Sequence, residues 1–214
     1  MAKYENIRAL AKKQLQTVTE SSDRWKEFLR TAAIAYNYSF PNQLLIYAQN
    51  PTATAVADMD YWNKNAGRRV KRGAHGTAVF DTRANSPRLR YLFDISDTIP
   101  IHEISEALPW AVTDQNWKPV WDKIIVDNHA DSIQSALLMI STSYVAQRSA
   151  MFTTALEKAV DGSSLQWAKP NEQRRLFLQI VTQSCLYMAA LRCGVDTQRL
   201  DTVYLENDHP FTVE

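Results

Sequence analysis

Much of what commonly announces a function is missing from this sequence. Only two cysteines occur, Cys185 and Cys193. Read on one helix, eight residues apart, their Cα atoms lie roughly 12 Å from each other. A disulfide needs about 7 Å or less, so the expectation is two buried thiols in a reducing compartment. No run of ~18 apolar residues exists, which excludes an ordinary membrane-spanning helix. The first residues, Met1-Ala2-Lys3-Tyr4-Glu5, lack the apolar core of a secretory signal. The reading is a cytoplasmic protein. There is no internal repeat and no low-complexity tract.

Catalytic and cofactor motifs are equally scarce. His102-Glu103-Ile104-Ser105-Glu106 begins like HExxH but lacks the second histidine, and that motif works by placing two imidazoles one helical turn apart on one zinc. His75, His102, His129 and His209 are scattered, without cysteines at ligand spacing. Neither a phosphate-binding GxxxxGK[ST] loop, a GxGxxG turn nor a GxSxG elbow is present. The expectation is therefore a non-enzymatic protein with no cofactor and no metal.

What is present is a globular composition, 45% apolar, rich enough for a sizeable core. A net charge of +1 conceals an uneven distribution. Residues 61–93 carry eight Lys and Arg (Lys64, Arg68, Arg69, Lys71, Arg72, Arg83, Arg88, Arg90) against Asp81 alone, whereas residues 94–131 carry eight acids against Lys118 and Lys123. Such asymmetry marks either an anion site or two segments that pair with each other.

Apolar spacing predicts helices over 3–18 and 22–37, the second with a core stripe of Trp25, Phe28, Leu29, Ala32, Ala33 and Tyr36. Pro41 suits the start of a third, short helix that Asn50-Pro51 stops. On it Leu44, Leu45 and Ala48 share one side, and Gln43 and Tyr47 another. Residues 52–57 read as a strand and Asp58 as the cap of a short helix that Gly67 ends. Arg69–Lys71 and Thr77–Asp81 read as a hairpin around a glycine-bearing turn, with 89–93 a further strand. Pro100, Pro109, Pro119, Trp110, Trp117 and Trp121 suggest an irregular connector. Beyond it, 131–160 has apolar residues at helical spacing (Ile133, Leu137, Ile140, Tyr144, Met151, Ala155), and 171–193 is a buried helix capped by Gly194. The expected class is α+β: N-terminal helices with a small antiparallel sheet over 1–98, a connector over 99–130, and a helical part over 131–214.

The stretch with chemistry is 36–80. Lys and Arg bind phosphodiesters, as do backbone N–H groups in glycine turns, so Arg68, Arg69, Lys71, Arg72, Gly73, His75 and Gly76 form a candidate phosphate surface. A hairpin kept soluble by its charges would look the same. Tyr38, Tyr47 and Trp62 could stack unpaired bases, and Asn42 and Gln43 could hydrogen-bond them. Tyr36, Phe40 and Trp62 are also ordinary core residues. Stacking rings beside cations and amides suit single strands better than duplex, whose bases are hidden. Four neutralised phosphates would give a salt slope near −3, at about 0.7 per phosphate.

The segments YSFPNQLLIYAQNPTATAV (38–56) and W-x4-GRRVKRGAHGTAVF (62–80) resemble the N-terminal domain of ArdC-type antirestriction proteins. They resemble still more the N-terminal region of large helicase- and methylase-like proteins on conjugative elements of Firmicutes. SPRLRYLFDISDT (86–98) is similar to those large proteins too, and LYMAALRCGVD (186–196) more loosely. The resemblance implies a single-stranded DNA-binding module of a mobile element, with DNA rather than RNA as partner and no membrane. It carries Asn42, Gln43, Trp62, Gly67, Val70, Arg72, Gly73 and Gly76 as motif positions, the glycines and Val70 as fold-keeping ones. The metallopeptidase motif of ArdC proteins is absent, so no protease activity follows. The alternative expectation is an interaction module using the acidic 94–131 surface against a restriction or conjugation protein.

Overall fold

The computed structural model describes residues 2–84, 86–101, 112–161 and 166–200. The chain divides into two compact units: residues 1–18 with 30–110, and residues 19–29 with 111–214. The division falls inside one helix, α2. It also differs from a boundary at residue 98, and 117–127, within the stretch read as connector, is helical.

In the first unit, α1 (Ala2–Val18) packs on α3 (Phe40–Gln49). Ala11, Ala35, Leu45, Ile46, Ala53, Val79 and Leu92 form its larger core cluster. Helix α2 (Ser22–Ile34) stops three residues short of the expected end. Tyr36, read as core, therefore lies past the helix and is exposed. Pro41 does start α3, and Asn50 ends it. Asp58 caps α4 (Met59–Lys64) by accepting the Tyr61 N–H at 2.9 Å.

Two small antiparallel assemblies follow. β1 (Val56–Ala57), β4 (Leu89–Asp94) and β3 (Thr77–Phe80) make a sheet in the order β1-β4-β3. β2 (Arg68–Val70) pairs with β5 (Thr98–Pro100), with Arg69 opposite Ile99. The expected β2–β3 hairpin is thus not formed, and the cause lies after β4. There Asp94 and Asp97 make a capping box around the 3-10 turn Ile95–Asp97. That turn sends the chain back beside β2, where the Lys71 N–H extends the ladder to the Asp97 carbonyl. The predicted strand 52–57 shrinks to two residues because the N–H groups of Thr54 and Ala55 are taken by the Asp94 carboxylate, at 2.7 and 3.0 Å. Alternation along β4 divides its side chains. Leu92 joins the larger cluster, while Phe93 joins Ala55, Trp62 and Ala66 in a second one.

The second unit is helical among its described residues: the first part of α2, then α5 (Trp117–Asp127), α6 (Ile133–Gln147), α7 (Ser149–Ala159) and α8 (Pro170–Arg192). Ile133, Leu137, Leu186, Ala190, Cys193 and Val195 make one cluster, and Leu29 with Tyr187 another. The expected single helical pattern over 131–160 is two helices meeting at Arg148. Its buried stripe is Ile133, Ala136, Leu137, Ser141 and Val145, whereas Ile140, Tyr144 and Met151 are exposed. α6 is apolar on several sides, so apolar spacing alone did not pick the buried one. At the end of α8, Gly194 N–H bonds Leu191 O and Val195 N–H bonds Ala190 O, the Schellman pattern. Cys185 and Cys193 are free thiols, and burial raises the pKa of both. No described helix is long and apolar enough to cross a membrane.

Candidate nucleic-acid interface

The FPNQLLIYAQN helix, α3, turns out to serve a sheet edge. β3 bonds β4 on one side only. Asp81 N–H reaches Arg88 O just beyond the strand, so 77, 79 and 81 face β4 while 78 and 80 face outward. Asn42 meets Phe80 with both ends of its amide: Nδ2 donates to Phe80 O at 3.0 Å, and Oδ1 accepts from Phe80 N at 2.9 Å. Gln49, seven residues on and hence on the same helix face, does the same to Ala78, at 2.9 and 3.0 Å. Two side-chain amides thereby replace a missing strand and close an edge that would otherwise be open.

Four of the twelve candidate residues are thus engaged in the fold. Asn42 is 1% exposed and its amide is spent on Phe80. Gln43 is half-buried and donates to Ala35 O at 3.1 Å. Trp62 is 1% exposed, the centre of its cluster, with Nε1 donating to Phe93 O at 2.9 Å. Arg68 is half-buried and donates through Nε to Thr98 Oγ1 at 2.7 Å, a bond that ties the β2–β5 ribbon. Asn42 and Trp62 thus present no group to solvent in this arrangement, whereas Gln43 and Arg68 keep part of their surface exposed.

Tyr38 and Tyr47 are half-buried. The Tyr38 hydroxyl donates to Val56 O at 3.0 Å, and the Arg90 guanidinium lies 5.3 Å from its ring centroid. Burial raises its pKa, with Arg90 opposing. Asp58 draws Arg90 and Arg83 to the same spot, at 3.7 and 3.8 Å. Tyr38 is therefore grouped with Arg83 and Arg90, not with the β2 cations.

The remaining candidates form one exposed run. Arg69, Lys71, Arg72, Gly73 and His75 all face solvent. Lys71 Nζ reaches Ser96 O at 2.7 Å, and its own carbonyl accepts the Ala74 N–H. Gly73 has φ of +84°, a conformation that costs glycine least. Gly76 has a different reason. A Cβ there would sit 2.9 Å from Tyr91 Cβ and 3.0 Å from Phe93 Cζ, so only glycine lets the turn lie against β4.

That contact brings in residues the sequence reading missed. Tyr91, opposite Ala78 in the register, is 39% exposed beside Gly76. The Lys3 ammonium sits 5.0 Å from its ring centroid. The signal for Tyr91 was the period of two in Leu89–Phe93, which sets it on the opposite face from Arg90 and Leu92. Lys3 carried no local signal, because the contact spans most of the unit.

Of the described acids in the acidic segment, Asp94 and Asp97 serve the fold, whereas Asp114, Asp122, Asp127 and Asp131 are exposed. Asp94 is buried. Its burial pushes the carboxyl pKa up, but the N–H groups of Ala55, Ser96 and Thr54 outweigh that and hold it below the ordinary value. Asp97 accepts the Asp94 N–H in the capping box. Asp122 and Asp127 pair with Lys118 and Lys123 one turn away. Glu103 and Glu106, like His102, lie outside the described residues.

The chain is a mixed α+β protein with eight helices and a small antiparallel sheet among its described residues, its first unit bearing a cationic glycine turn beside an exposed tyrosine. In comparisons with family models, curated proteins and solved structures, nothing matches it significantly.

Proposed function

We propose that the first unit is a single-stranded DNA-binding module, and that it serves a mobile-element protein of the antirestriction or conjugative kind. The observation that carries the reading is the seating of the cationic turn against Tyr91 through Gly76. It sets a ring able to stack an unpaired base beside Gly76, at the end of the exposed run that carries Arg69, Lys71, Arg72 and His75, which suit the phosphates. Lys3, exposed on the first turn of α1, can swing from the Tyr91 ring to a phosphate. Thirteen Lys and Arg against eight Asp and Glu give residues 1–18 and 30–110 a charge of +5, which favours a polyanion. The mobile-element assignment rests on the resemblance of 38–56 and 62–80.

The test is fluorescence anisotropy with a labelled 20-mer, single-stranded against duplex, on the wild type and Tyr91→Ala. The single strand should bind tighter, and loss of one stacked base, worth about 1–3 kcal/mol, should weaken it roughly 5- to 150-fold. Equal affinity for duplex, or no effect of Tyr91→Ala, would overturn the stacking role.

A further inference from the structure

We propose that the cleft at the start of α5, in the second unit, is an aromatic cage for a small organic cation of the alkylammonium class. The cleft has a volume of about 290 Å³ and is lined by Val112, Thr113, Asp114, Trp117, Trp121 and Gly194. Trp117 and Trp121 stand one helical turn apart, with ring centroids 4.9 Å apart and ring planes inclined at 68°. They make two non-parallel indole walls. The Trp121 wall is fixed, because its Nε1 donates to Cys193 O at 2.7 Å. With that N–H spent, the ring offers its π system. Trp117 is 42% exposed and forms the open side. Gly194 and Val112 close the cleft, since even a Cβ on Gly194 would come within 3.3 Å of Val112 Cγ1.

The charge of the lining selects the ligand. Asp114 is exposed and makes no ion pair, and no Lys, Arg or His lines the cleft, among the described residues. An anion would find no counter-charge there. A cation would find a carboxylate and two indole rings, whose π systems attract positive charge more strongly than those of the other aromatic side chains. The dipole at the start of α5 opposes a cation, but it amounts to about half a charge, against the full charge of Asp114. The surrounding unit agrees in sign: residues 19–29 and 111–214 hold eleven Lys and Arg against fifteen Asp and Glu, a charge of −4. The volume lies at the lower limit, roughly 300 Å³, of small-molecule sites. It suits a methylated ammonium head group better than a large ligand.

The experiment uses the full chain labelled with nitrogen-15, watching the indole N–H resonances at constant ionic strength. Choline chloride is titrated in parallel with 3,3-dimethylbutan-1-ol, which has the same shape without the charge. Choline should shift the Trp117 and Trp121 signals saturably, and the neutral alcohol should bind at least tenfold more weakly. Asp114→Asn, at an exposed position, should weaken choline several-fold and leave the other resonances in place. Trp117→Ala should remove the saturable response. No saturable shift with choline, or equal binding of the alcohol, would overturn the proposal.

Discussion

The two units use their buried polar groups differently. Among the described residues of the helical unit these are Ser141, Gln183 and Ser184, side chains on helices whose backbones satisfy themselves. One of them, Ser184, accepts the Trp25 indole N–H at 3.0 Å. In the α+β unit Asn42 and Asp94 hold backbone that no strand or helix could reach. Asn42, with the more exposed Gln49, closes the edge of β3; Asp94 gathers the N–H groups of Thr54, Ala55 and Ser96. Helices leave only their ends unsatisfied, whereas short strands leave whole edges. A small sheet therefore recruits amides and carboxylates for its own backbone, and such residues imitate a binding site in sequence.

Substitutions can break this contrast, and the largest effect is expected at the α+β core. Trp62→Ala should cost about 3–5 kcal/mol, the range for truncating a buried aromatic, read from urea denaturation. A loss below 1 kcal/mol would mean that Trp62 does not anchor its cluster. Next comes Asn42→Ala, which leaves Phe80 with an unpaired donor and acceptor, about 1–3 kcal/mol for each orphaned group. Gln49→Ala should cost less, about 1 kcal/mol, because Gln49 is exposed and water can replace its amide. Equal losses at the two positions would contradict the edge-closing account.

Asp94 sharpens the comparison through pH. Its native pKa lies below the ordinary value of 3.8. Its contribution to stability is therefore fully present above the unfolded pKa, near 4, and lost as pH falls through the lower native value. Between pH 7 and pH 3 the wild type should lose more stability than Asp94→Asn, which has no carboxylate to protonate. Parallel pH profiles would show that the lowered pKa has no part in folding. The smallest effect on stability, within about 0.5 kcal/mol, is expected for the exposed triple substitution Arg69→Ala, Lys71→Ala, Arg72→Ala.

Legibility followed the range of the contacts. Pro41 opening α3, Asp58 capping α4 and Gly194 ending α8 depend on neighbours a few residues away, and each stands where the sequence placed it. The β2–β5 pairing was hidden because it joins segments thirty residues apart through the Asp94–Asp97 turn. A glycine turn between two β-like segments looked like a simpler hairpin. Asn42 and Gln43 were indistinguishable as amides, and which backbone each reaches is set by tertiary packing. The exposed cations of 69–75 were legible as such; the rings read beside them were Tyr38, Tyr47 and Trp62, and Tyr91 on β4, which lies against Gly76, was not among them.

The most direct test of the central claim is the salt dependence of single-stranded DNA binding by the wild type and the triple variant. Three phosphate contacts at about 0.7 each predict a wild-type slope of log K against log[salt] near −2 from these residues. That is shallower than the −3 expected with Arg68 included, because Arg68 is half-buried against Thr98 whereas Lys71, though bonded to Ser96 O, is exposed. The triple variant should lose about two units of slope together with most of its affinity, at unchanged stability. An unchanged slope in the variant would contradict the account, because the strand would then be held elsewhere.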